Sequence, residues 1–226
     1  MTVLVLAMSW LITATGLAWV EEPPAPRVDR LDVPVVLVPG WFDTARDLAA
    51  LRIRFIGAGV PAPYVHALSF ADPTGSNVDH AAELDSLVRE VVTETGVDRV
   101  DIVAHSMGGL ATRWYLNTHP ETPVRKVAFL ATPHHGTLSA HLAWGDGRDE
   151  MLPDSPFLSA LNAQAAIPDG VAAITVRTPI DTHVLPPESA MLDGVTDHVV
   201  CCPSHAGLLE NEEVFLVVLD FLEGGD

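Results

Sequence analysis

The sequence predicts an α/β fold, a mostly parallel central sheet with helices on both faces, and three observations predict it. Short apolar runs rich in valine and leucine recur along the chain, as expected of strands covered on both sides. Stretches with apolar residues at helical spacing separate them, and strands separated by helices pair in parallel. With 226 residues, the chain can bury one sizeable core.

Residues 33–38, Val-Pro-Val-Val-Leu-Val, form the first such run and end in Pro39-Gly40. A helix-like stretch over 44–56 ends at Gly57 and Gly59, and residues 64–70 read as the second strand. Asn77 can cap the next helix, whose Val78, Leu84, Leu87, Val88, Val91 and Val92 share a face up to Gly96. A strand over 100–104, a helix over 107–118 and a strand over 124–130 continue the alternation. After an irregular region come strands over 172–176 and 198–202 and a last helix near 211–222. In such sheets the loops at the carboxyl ends of the strands build the site. Four segments sit there: 39–42, 105–109, 178–181 and 203–205.

Residues 1–20 carry no charge, and the Pro-rich connector 21–32 follows them, leaving 33–226 as one globular unit. The apolar stretch is expected to be a signal peptide of a secreted protein. An uncleaved membrane anchor is the alternative, because the basic start of a signal peptide is missing. The net charge of −18 repels nucleic acid and anionic lipid and favours solubility. Cys201 and Cys202 are adjacent and cannot join distant segments, and a ring between neighbours is strained, so both are expected as free, mostly buried thiols.

The chemistry concentrates in Ala104-His105-Ser106-Met107-Gly108-Gly109, a strand that runs into a serine and out into a helix. Such a turn crowds the residues two before and two after the serine, and Ala104 and Gly108 are both small. A serine hydroxyl needs a base to take its proton. Of ten histidines, His205 alone sits both after the final predicted strand and before the final helix. An acid must then orient the imidazole, and Asp181 follows the preceding strand, with Glu188, Asp193 and Asp197 as the competing carboxylates. The order Ser106, Asp181, His205 separates this set from other serine hydrolase classes. Donors for an oxyanion fall on the N–H groups of Met107 and Trp41. Phe42 and His105 are candidates to line the substrate pocket, and the aromatic pair Trp41-Phe42 could equally pack on its own domain.

Ala104-His105-Ser106-Met107-Gly108 and Ser204-His205-Ala206-Gly207-Leu208-Leu209 resemble the nucleophile and histidine segments of the small Bacillus-type lipases, over about residues 33–222. The resemblance implies an α/β-hydrolase core that acts on carboxylic esters without a cofactor. It assigns the triad to Ser106, Asp181 and His205 and the oxyanion donors to Trp41 and Met107. Pro39-Gly40-Trp41 departs from the His-Gly-aliphatic pattern of that family, and residues 137–168 are longer than the minimal form, which leaves room for a partial lid. His134, His135, His141 and Asp146 fit no tetrahedral metal pattern, so no metal is expected. Residues 152–161 are apolar enough to cover the pocket or to pack on it. The expected partners are an ester or lipid substrate, with transient contact at a lipid interface; no nucleic acid and no second copy are expected. An amidase or polyester depolymerase on the same machinery, or a binding protein of the same fold, remain alternatives.

Overall fold

A computed structural model describes residues 32–224. The expected export segment 1–20 and nearly all of the connector lie outside them. Six strands form one parallel sheet in the order β2-β1-β3-β4-β5-β6: β1 Val35–Val38, β2 Val65–Ala67, β3 Val100–His105, β4 Val124–Leu130, β5 Ala172–Arg177 and β6 Thr196–Val199. The α/β alternation read from the sequence is therefore the fold.

Side chains alternate across each strand and feed two cores. Val35, Leu37, Val103, Leu130 and Val176 face α1 (Ala49–Gly57) and α6 (Glu212–Glu223) through Leu51, Phe55, Val214, Val218 and Leu222. Val36, Val38, Ile102, Val127 and Phe129 face α2 (Asn77–Thr95) and α3 (Gly108–Thr118) through Leu84, Val88, Val91, Tyr115 and Leu116. All four residues of β1 are completely buried, which is why that strand reads as an unbroken apolar run.

The interior strands end close to where their sequence predicts, whereas the edges differ. β2 and β6 are short outer strands, and the apolar period that marks a doubly covered strand fades there. Ser76, not Asn77, caps α2: its hydroxyl accepts from Val78 N–H at 3.1 Å, while Asn77 is the first helical residue and bonds Glu150.

The expectation of free, buried thiols is wrong. Cys201 and Cys202 form a disulfide with each other and both are exposed. The last strand ends at Val199 on the sheet edge, so the two residues stand in a solvent-facing turn instead of inside a covered strand. Residues 137–168 fold into a 3-10 turn over Leu138–Leu142, the short helix α4 (Asp146–Met151) and α5 (Pro156–Asn162). Leu158 and Leu161 of α5 pack against Met107 and Leu110 in a third, smaller cluster, so the apolar segment 152–161 packs on the domain. No helix among the described residues is long and apolar enough to cross a membrane.

Candidate active site

Ser106 stands in the turn between β3 and α3 with a φ of 52°, a conformation that a side chain disfavours and that persists only where the surroundings hold it. Its N–H donates to the carbonyl of Leu130 at 2.8 Å, and its own carbonyl accepts from Gly109 at 3.0 Å, so the turn is fixed from both sides. A methyl group on Gly108 would collide with the carbonyl oxygen of Pro39 and lie 2.9 Å from Val38 Cγ1. Only glycine lets the start of α3 close against β1.

The sheet brings the three expected residues together. His205, in the turn after β6, places Nδ1 at 2.8 Å from Oδ2 of Asp181, which lies beyond the end of β5. The other carboxylate oxygen of Asp181 accepts the N–H groups of His183 at 2.7 Å and Val184 at 2.9 Å, so the acid is held in one orientation. The ring of His183 stacks on that of His205 at 4.8 Å. Ser106 and His205 line one cleft of about 420 Å³ at the carboxyl edge of the sheet.

The electrostatics suit a base. Burial, the largest influence on His205, pushes its imidazole below the ordinary 6.5, and the hydrogen bond to Asp181 only partly offsets it, so the ring is neutral near pH 7. Burial works in the opposite sense on Asp181, but the bonds from His205, Val184 and His183 outweigh it and hold the carboxyl below its usual range. A charged acid beside a neutral, correctly turned imidazole is the combination that proton transfer from a hydroxyl requires.

The N–H groups of Trp41 and Met107 donate to no other group among the described residues. Met107 stands at the N-terminus of α3, where helix geometry leaves such donors open and the helix dipole favours negative charge. The aromatic side chains take up a role at the cleft. Trp41 and Phe42 line it together with Trp144, with ring centroids 4.6 to 5.7 Å apart. His105 also lines the cleft but is 2% exposed, and its Nε2 donates to the carbonyl of His205 at 3.3 Å.

The rival carboxylates lie elsewhere. Asp197 sits within β6 and accepts from Thr175 and Arg177 at 2.8 and 2.9 Å, so it ties two strands together instead of standing as solvated charge. Asp193 is exposed, and Glu188 is 3.9 Å from Arg177. Among the described residues Asp181, His183 and His205 are the group whose ligand atoms come within 4.8 Å of one another, and Asp181 Oδ2 and His205 Nδ1 are bonded to each other at 2.8 Å. His134 is wholly buried with neither ring nitrogen bonded.

Two contributors escape sequence reasoning. Thr137 accepts from Leu185 N–H at 2.8 Å and donates to the carbonyl of His183 at 2.7 Å, and so supports the loop that carries Asp181. His183 itself joins that loop to the His205 ring. The contacts of Thr137 span 46 and 48 positions and the ring contact of His183 spans 22, and no local pattern announces them.

The fold resembles that of solved lipases. Aspergillus fumigatus lipase B superposes with a TM-score of 0.75 at 18% identity, covering 96% of this chain and 64% of that one. The mature Bacillus licheniformis lipase BlEst2 gives 0.70 at 19%, covering 88% and 96%. A triacylglycerol lipase of Burkholderia plantarii is 31% identical over 149 residues, 58% of this chain, which spans only 39% of that enzyme's length. Residues 58–187, more than half of the chain, match the family described as the alpha/beta hydrolase fold, and the chain belongs to that family.

Proposed function

We propose that this protein hydrolyses carboxylic esters through an acyl-enzyme, with Ser106 as nucleophile, His205 as general base and Asp181 as the orienting acid. The observation that carries the reading is the 2.8 Å bond to a fixed, buried Asp181 from His205, which lines the same cleft as Ser106. In the proposed sequence Ser106 Oγ gives its proton to His205 Nε2 and bonds to the ester carbonyl carbon. The negative oxygen that forms is received by the N–H groups of Trp41 and Met107. Its collapse breaks the bond to the alcohol, which takes the proton from His205. Water then adds with the help of the same imidazole, and the acid leaves as Ser106 regains its hydrogen.

The rim supports an apolar or aggregated ester as substrate. Phe42, Leu138, Leu142 and Trp144 are 59%, 58%, 87% and 55% exposed beside the cleft, an unusual grouping for a surface facing only water. Transient contact with a lipid surface, kinship with the small Bacillus-type lipases in particular, and export through residues 1–20 belong to the same proposal. The lipase names of the relatives favour it.

Turnover of p-nitrophenyl esters of increasing chain length, an emulsified triglyceride and a matched anilide tests the reading. Ester turnover that exceeds anilide turnover and disappears in a folded Ser106→Ala protein is expected, with a loss on the order of 10⁴-fold or more. Near-full activity of that variant would end the assignment; faster anilide than ester turnover would replace it with an amidase.

A further inference from the structure

Asp43 follows the oxyanion loop and carries the one carboxylate among the described residues that line the cleft, which includes no lysine or arginine. The loop is held by two backbone hydrogen bonds, Phe42 N–H to Pro73 O at 2.9 Å and Asp43 N–H to Gly40 O at 3.2 Å, and by Trp41 Nε1 donating to the carbonyl of Trp144 at 3.1 Å. A side chain on Gly40 would begin 2.9 Å from Ser106 Cβ and 3.0 Å from Asp43 Oδ2. Both groups therefore crowd one point, and the carboxylate stands no more than about 6 Å from the nucleophilic residue. Oδ2 also lies 3.4 Å from Nδ1 of His105, but that nitrogen makes no hydrogen bond, and Nε2 already donates to the carbonyl of His205. The aspartate is about one-third exposed and has no arginine or lysine ion pair among the described residues, so its charge faces the cleft.

Resting on the ester-hydrolase reading, we propose that Asp43 is a charge filter: the cleft takes neutral and cationic esters and turns away esters that carry an anionic group near the scissile bond. The carboxylate also opposes the negative oxygen formed from every ester, but that cost is common to all substrates and cancels in a ratio. A like charge held about 6 Å away in a wet cleft, with an effective dielectric constant of about 40, corresponds to about tenfold discrimination. Most of the chain's other acids lie on the outside, where salt and water screen them.

The test compares kcat/KM at pH 8 for three methyl esters of similar size: methyl pentanoate, monomethyl glutarate, and methyl 4-(trimethylammonio)butanoate. The neutral-to-anionic ratio is expected to fall about tenfold in Asp43→Asn and to persist in Asp43→Glu. It should stay at the wild-type value in Glu94→Gln, which removes an exposed acid at the opposite end of the sheet. The cationic ester should lose ground to the neutral one in Asp43→Asn only. Each ratio is measured within one preparation, so a partly folded variant does not distort it. The unaltered protein supplies a second readout, because raising salt from about 0.02 M to about 0.5 M should shrink its neutral-to-anionic ratio. A ratio that Asp43→Asn leaves unmoved, or that Glu94→Gln moves equally, overturns the filter. A wild-type protein that turns over none of the three but hydrolyses p-nitrophenyl esters overturns the filter alone, and one that hydrolyses no ester overturns the hydrolase reading and the filter with it.

Discussion

Two buried histidines make an instructive pair. His205 and His134 are 6% and 0% exposed, and burial pushes both imidazoles below their ordinary value. His205 has an aspartate on one nitrogen and the cleft on the other side. His134 has no partner on either nitrogen, stands edge-on to Phe129 at 5.0 Å, and feels the buried guanidinium of Arg113. Its backbone is well held, since its carbonyl accepts from Asn162, whose amide oxygen in turn accepts from Arg113 at 2.9 Å. Burial alone makes an imidazole neutral; the fixed carboxylate beside it is what the proposed role of His205 as a base adds.

The largest expected effect that sharpens this contrast comes from Asp181→Asn, which keeps the shape of the acid and removes its charge. The kcat for a p-nitrophenyl ester should fall on the order of 10³ to 10⁴-fold with the circular dichroism spectrum unchanged. His134→Leu should change kcat by less than about threefold, because no step of the proposed reaction passes through that ring. Equal losses in the two variants would break the comparison.

Stability separates the two sites next. Removing the hydroxyl of Thr137 leaves the N–H of Leu185 without its partner, while the carbonyl of His183 keeps the bond from the Ser139 hydroxyl. Urea unfolding of Thr137→Val should show a loss of about 1 to 3 kcal/mol. His134 acts through pH instead. Its imidazole stays neutral in the folded protein well below 6.5, whereas the unfolded chain takes up a proton near 6.5. The unfolded state then binds more protons, so stability falls as the pH drops below 6.5, by about 1.4 kcal/mol per pH unit for this one group. His134→Leu should flatten the slope by up to that amount, and an unchanged slope would show that other groups set acid stability.

The smallest expected effect is on the pH profile of activity. The folded His205 is lowered, so its neutral form persists to more acidic pH, and the acid limb of kcat/KM should have its midpoint below 6.5. A midpoint clearly above 6.5 would mean that Asp181 outweighs burial in the working enzyme.

The same contrast marks what the sequence makes legible. Ser106 is readable because its signal is local: a buried strand, two small neighbours and a helix start within ten residues. His205 and Asp181 are readable by chain order, since a parallel sheet returns each strand end to the same edge. The interior strand β4 is recovered residue for residue, because its run Val127–Leu130 is apolar on both faces and Val124 opens it, although Arg125 and Lys126 stand between them. The edge strands are not, and Cys201 and Cys202 are misjudged with them. Thr137, His183 and Asp43 stay hidden for another reason: their meaning lies in contacts made across the fold. A threonine bonded to a carbonyl 46 positions away leaves no period or motif behind.

The proposed nucleophile is tested most directly by incubating the protein with a p-nitrophenyl alkylphosphonate and mapping the adduct by peptide mass spectrometry. One phosphonyl group is expected, on the peptide containing Ser106, with loss of esterase activity in step with labelling, and no adduct in Ser106→Ala. Labelling at another residue, or full activity in a protein stoichiometrically labelled at Ser106, would contradict that expectation.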